Sequence, residues 1–196
     1  NDVHYKFRVD NDFYYLSGFD EPHSVLLLCP EHPEHRVVLF VQPKNPNEEL
    51  WAGWRAGVEG ARDHYKADAA YPIDDLETQL KEYLRNVHTL YFAMGRDAVY
   101  DAMIGRLIEH YRAQRRTGEF GPRQVLDPFE LVHEMRLFKD AAELESMRQA
   151  VTISIEAHRA AMRTVQPGMR EHQLEAIIEY CFRSRGAIGP GYPTNA

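Results

Sequence analysis

LVHEMRLFKDAAELESMRQA, Leu131 to Ala150, decides how the chain divides. His133-Glu134 is the opening half of the zinc signature H-E-x-x-H, which works because two His four positions apart share one helical face and one ion. The position four after His133 is Leu137. The local zinc reading fails on spacing, and with no nucleophile or second ligand beside it His133 reads as structural. What remains is a boundary. Asp140 is placed as an N-cap, with Glu143 three positions on as its capping-box partner, so a new helix starts there. Ala141, Leu144, Met147, Val151, Ile155 and His158 then recur along one side of it.

Downstream, QPG (166–168) ends this helix, MREHQLEAIIEYCFRSRG starts another that Gly186 closes, and AIGPGYPTNA is an extended tail. A strand is expected to begin at GYPTNA, so the second domain reads as the opening of a larger one. Upstream, PFELVHEMRLFK is helical, and before it strands alternate with helices. NDFYYLSGF (11–19) reads as a turn followed by an aromatic, strand-favouring run that stops at Gly18. SVLLLC and RVVLFV are two short strands joined by PEHPEH, a solvated loop whose His32 and His35 could otherwise suggest a surface metal site. NPNEELWAGWRAG reads as a helix capped by Asn47, with Glu48 and Glu49 in its first turn and the chain's two tryptophans on it. PIDDLETQLKEYLRN is amphipathic through Ile73, Leu76, Leu80 and Leu84, capped by Asp74 or Asp75. VHTLYFAMG reads as a buried strand. DAVYDAMIGRLIEHYRAQRR is a long helix with Val99, Met103, Leu107 and Tyr111 on its stripe and a basic end that suits the dipole.

The totals exclude several classes. Asp plus Glu number 30 against 23 Lys plus Arg, a net charge of -7, which argues against nucleic-acid binding because phosphates need a basic footprint. The densest basic cluster, Arg112, Arg115 and Arg116, is local. No apolar run approaches membrane-spanning length, so no membrane partner is expected. Two cysteines, Cys29 and Cys181, give no disulfide framework and favour a reduced, cytoplasmic compartment.

Read together, FRVDNDFYYLSGFDEPHSVLLL, ELWAGWR, LVHEMRLFKDAAELESMRQA and VQPGMREHQLEAIIEYCFRSRGA resemble the creatinase and prolidase superfamily, in its aminopeptidase P branch. The resemblance implies an α/β N-terminal domain at residues 1–128, a mixed sheet with helices on both faces. A junction at 129–139 follows, then, at 140–196, the first helices of an α+β pita-bread catalytic domain. It implies removal of an N-terminal residue ahead of proline, by two divalent ions, manganese by preference, held by two Asp, one His and two Glu. Those ligands are expected beyond Ala196, so no catalytic or metal-binding residue is assigned here and the chain alone is expected to be inactive. Relatives also imply a dimer or tetramer in which a neighbour's N-terminal domain walls the active site. Trp51 matches the Trp that does so, its indole suited to a proline ring. Arg116 matches an Arg in the loop after the long helix, suited to peptide carbonyls or a carboxylate. A prolidase and a non-enzymatic pita-bread binding protein are the alternatives within the superfamily.

Overall fold

The computed structural model describes residues 7–114, 116 and 118–192. Strand β2, Val37–Val41, is buried on both faces. Strand β1, Val25–Leu28, pairs antiparallel with it, setting Val25 opposite Phe40; β3, Ala69–Pro72, pairs parallel on the other side, setting Val38 opposite Ala69. β4, Thr89–Tyr91, and β5, Gln124–Leu126, form a separate parallel pair. The strands are therefore mixed in direction. Alternation along β2 sends Val38 and Phe40 to one core and Leu39 and Val41 to another. Helices α4, Leu76–Tyr83, and α5, Ala98–Ala113, cover the first through Leu80, Ile104 and Leu107. Phe19 and α3, Gly57–Asp63, cover the second. Each large side chain so buried contributes about 1.5–3 kcal/mol. Helices thus lie on both faces of the sheet, as expected.

Beyond the hydrophobic contacts, a polar clamp holds β2. The Asp68 carboxylate accepts N–H bonds from Arg36 and Val37, both at 2.8 Å, while the Asp68 N–H donates to the Val37 carbonyl at 2.8 Å.

Several local expectations are corrected. NDFYYLSGF is not a strand: Asn11–Ser17 is helix α1. Asp10 Oδ1 accepts the N–H groups of Asp12 and Phe13 at 2.9 and 3.1 Å, and Gly18 closes the helix at φ +65°. A strong cap and a left-handed glycine outweigh the β preference of the aromatics. Helix α2, Pro46–Ala52, is capped by Asn45, with Pro46 in its first turn, rather than by Asn47. Asn45 Oδ1 accepts from Asn47 N–H at 3.2 Å. At α5, Val99 is exposed and Ile104 joins the buried stripe, because Asp97 caps the helix and leaves Val99 in its first turn. β4 is short and only half-buried, with Tyr91 exposed. Helix α3 and strands β3 and β5 had no separate sequence signal.

The chain divides into two compact units between Val132 and His133, within helix α6, Phe129–Leu137. Lys139 Nζ donates to the Arg136 and Leu137 carbonyls, closing α6. One residue later Asp140 opens α7, Ala141–Thr164: its Oδ1 accepts from Glu143 N–H and Glu143 Oε2 accepts from Asp140 N–H, each at 2.8 Å. This is the capping box expected from the sequence. α8, Glu171–Ser184, packs on α7, and Arg185 bridges to Glu156 at 2.8 Å. Of the α7 residues only Ala157 is buried; Leu144, Met147, Val151 and Ile155 are exposed. The end of the strand expected at GYPTNA lies outside the described residues.

Candidate functional site

Helix α2 carries Trp51, and Trp54 follows just beyond its end; both are exposed, Trp51 the more so. Trp51 is 91% exposed. Trp54, just beyond the helix, is 59% exposed: Lys44 Nζ lies 5.9 Å from its ring centroid, and the His64 ring meets it edge-on at 6.0 Å. The helix carrying Trp51 is well fixed. Its cap is closed by Asn45 Nδ2 donating to Glu48 Oε1 at 2.9 Å, and Arg55 pairs with Glu48 at 2.7 Å. Beyond it, the Ala56 N–H donates to Glu21 Oε1 at 2.6 Å.

That last bond places a carboxylate in a poor environment. Burial pushes the Glu21 carboxyl above its ordinary value of 4.5, more than the Ala56 hydrogen bond lowers it; the charges of Asp20 and Glu49 add to the rise and that of Arg55 opposes it. Glu21 Oε2 and Glu49 Oε1 are buried without a hydrogen-bond partner. An unpaired buried carboxylate oxygen raises the free energy of the charged form. Sequence periodicity carries no sign of this tie, because Glu21 and Ala56 are far apart in the chain and meet only in the fold.

Arg116 lies just past the end of α5 and is exposed; Arg115 lies outside the described residues. The segment after it returns over α5. Gly121 sits where an added Cβ would lie 2.2 Å from Tyr111 Cδ2, and the Tyr111 hydroxyl donates to the Lys81 carbonyl. A cleft of about 660 Å³ opens there, lined by Ile108, Tyr111, Arg112, Phe120 and Arg123 among others, with Arg123 over the Phe120 ring at 4.9 Å. Neither Arg116 nor Trp51 is part of this cleft.

Among the described residues the histidines form no metal centre. His133 is exposed on α6, with Leu137 at the position a second ligand would need. His32 Nδ1 accepts two backbone N–H groups, from Glu34 at 3.2 Å and His35 at 2.8 Å. Nδ1 is therefore unprotonated, and neutral His32 carries its proton on Nε2, which removes that nitrogen as a ligand. Among the described residues no three His, Cys, Asp or Glu side chains converge on a possible ion. Cys29 and Cys181 are free thiols, and burial pushes that of Cys29 up. No helix of the described residues is long and apolar enough to cross a membrane.

Comparison with known proteins gives this arrangement its context. Residues 145–196 match the model of metallopeptidase family M24, and residues 1–91 that of the aminopeptidase P, N-terminal domain. The fold is thus like that of the aminopeptidase P N-terminal domain followed by the opening of an M24 catalytic domain. The chain is 34% identical over 194 residues to the Xaa-Pro aminopeptidase of Escherichia coli (strain K12), covering 98% of this chain and 44% of that protein. Human Xaa-Pro aminopeptidase 3 is 31% identical over 200 residues, 98% of this chain and 38% of that protein. Among solved structures, an aminopeptidase from Pseudomonas aeruginosa superposes with a TM-score of 0.92 at 38% identity, over 98% of this chain and 43% of that one. A zinc-substituted E. coli aminopeptidase P in complex with product gives a TM-score of 0.90 at 34% identity, over 98% and 44%. The chain resembles aminopeptidase P proteins over nearly its whole length, and it spans less than half the length of these relatives.

Proposed function

We propose that the protein containing this chain is a dinuclear-metal Xaa-Pro aminopeptidase, a hydrolase that removes the N-terminal residue from peptides with proline second. The names of its relatives support the activity, and the match to family M24 supports dependence on divalent metal. When bound, two such ions polarise the scissile carbonyl and activate a water, and manganese suits an oxygen-rich ligand set. The described residues do not fit that role, since no ligand set converges among them. No catalytic step is therefore assigned to this chain.

Its contribution is recognition. Trp51 stands out from a capped helix with its indole open, and in a homo-oligomer, dimer or tetramer, it lies against the substrate's proline in a neighbouring subunit. Arg116, held at the exposed end of α5, contacts the peptide backbone or its carboxylate in the same way. The two free cysteines suit a cytoplasmic setting. The near-complete exposure of Trp51 on a capped helix carries the reading. In the intact enzyme, Trp51→Ala is expected to lower kcat/KM for an Xaa-Pro peptide by the equivalent of about 1–3 kcal/mol, the range for truncating an aromatic anchor, with assembly unchanged. An assembled Trp51→Ala protein with unaltered kcat/KM would remove the role.

A further inference from the structure

The loop between β1 and β2 contains an arrangement that peptide hydrolysis does not use. His32 behaves there like the Asn or Asp that opens a tight turn: its Nδ1 accepts the N–H groups two and three residues ahead, those of Glu34 and His35. The turn sets the His35 ring parallel to that of His32, with centroids 5.0 Å apart and an interplanar angle of 6°. It also brings His35 Nδ1 within 2.9 Å of the Tyr83 hydroxyl on α4, which in turn lies 3.2 Å from the Tyr71 hydroxyl on β3. Backbone bonds from Cys29 to the Arg36 carbonyl and from His32 to the Cys29 carbonyl close the base of this loop, while His32 Nδ1 accepts the Glu34 and His35 N–H groups at its tip.

The two histidines respond differently to acid. Protonation of His32 turns Nδ1 from acceptor into donor, so it faces two N–H groups it can no longer bind. Protonation of His35 leaves its Nδ1 able to donate to Tyr83, whose hydroxyl then accepts and donates on to Tyr71. Burial holds the Tyr83 hydroxyl far above the ordinary tyrosine range, so it stays neutral and can play both parts. The groups that face this cluster are Cys29 at the end of β1, Glu31, Glu34 and Arg36 in the loop, Asp68 through the Arg36 N–H, Tyr71 on β3 and Tyr83 on α4. We propose that His32 is an acid-released latch: neutral, it fixes the β1–β2 loop and presents His35 to Tyr83; protonated at Nδ1, it frees the loop from α4.

The test is NMR of the intact protein with nitrogen-15 in its histidine rings, titrated between about pH 8 and pH 5. The His32 ring is expected to show the Nε2–H tautomer at the alkaline end, and the Glu34 and His35 amide signals to titrate together with it. His32→Asn, whose Oδ1 replaces Nδ1 as acceptor, should keep the turn and lose that titration. His35→Phe should retain it at the Glu34 amide. A proton on His32 Nδ1 at the alkaline end would overturn the latch, as would Glu34 and His35 amides that titrate equally in His32→Asn.

Discussion

Three positions separate Trp51 from Trp54, and their surroundings set what each substitution does. Trp54 has Lys44 and His64 against its ring, so Trp54→Ala is expected to lower the melting temperature while kcat/KM per folded enzyme stays near that of the parent. A thermal melt beside a steady-state assay separates this from Trp51→Ala. Glu21 gives a pH-dependent case. Its folded carboxyl titrates above the ordinary value of 4.5, so its protonated form favours the fold. The stability linked to it is fully present below that value and is lost as pH rises through the folded one. Glu21→Gln keeps an acceptor for the Ala56 N–H and removes the charge beside Asp20 and Glu49. Its melting temperature should exceed the parent's at neutral pH, and the gap should close in acid; a constant gap down to about pH 4 would contradict the assignment. The sequence revealed the Asp140 and Glu143 pair because both partners lie within one helical turn. It did not reveal Glu21 with Ala56, or His32 with Tyr83, because those partners are brought together only by the fold.

Among the elements, those with amphipathic spacing were legible and those built on caps or pairing were not. Leu76, Leu80 and Leu84 are buried as their period requires. α1 runs against the β preference of its aromatics because Asp10 and Gly18 seal a seven-residue helix at both ends. β5 is three residues long and half-exposed, too short for any alternation to register. The return segment beside it depends on one missing side chain. At Gly121 an added Cβ would lie 2.2, 2.5 and 2.9 Å from three carbons of Tyr111, a buried residue anchored through its hydroxyl. Gly121→Ala is therefore expected to destabilise the N-terminal unit by about 1–3 kcal/mol, the usual cost of overpacking, as read by urea denaturation. Gly95→Ala is a useful contrast: nothing lies within 4 Å, and any cost there comes from its φ of +88°.

For the whole molecule, the order of the two domains was readable because the Lys139-Asp140 junction is local and the family motifs are spread along the chain. The packing of the second unit was not readable beyond its stripe. α7 carries Leu144, Met147, Val151 and Ile155 exposed, with Met147 at 51% and Val151 at 56%, and the chain spans less than half the length of its relatives. A contiguous apolar helix face of this kind promotes association in water. The 196-residue chain by itself is expected to form concentration-dependent oligomers by light scattering, and Met147→Glu with Val151→Glu should shift it toward monomer. A parent chain that stays monomeric at every concentration would contradict this.

The Asp68 clamp on β2 also bears on errors of alignment. Most strands guard their register by having one greasy side and one wet side, so that slipping by a single residue is punished at every position. β2 lacks that safeguard: Val38 and Phe40 could trade places with Leu39 and Val41, and both interiors would still be filled with hydrocarbon. The fold therefore relies on a tooth. One carboxylate that can grip only two consecutive amides, those of Arg36 and Val37, tells the central strand where to start. An inserted or deleted residue on the strand side of that tooth would produce a swapped interior with nearly the same oiliness, while one on the loop side would be absorbed.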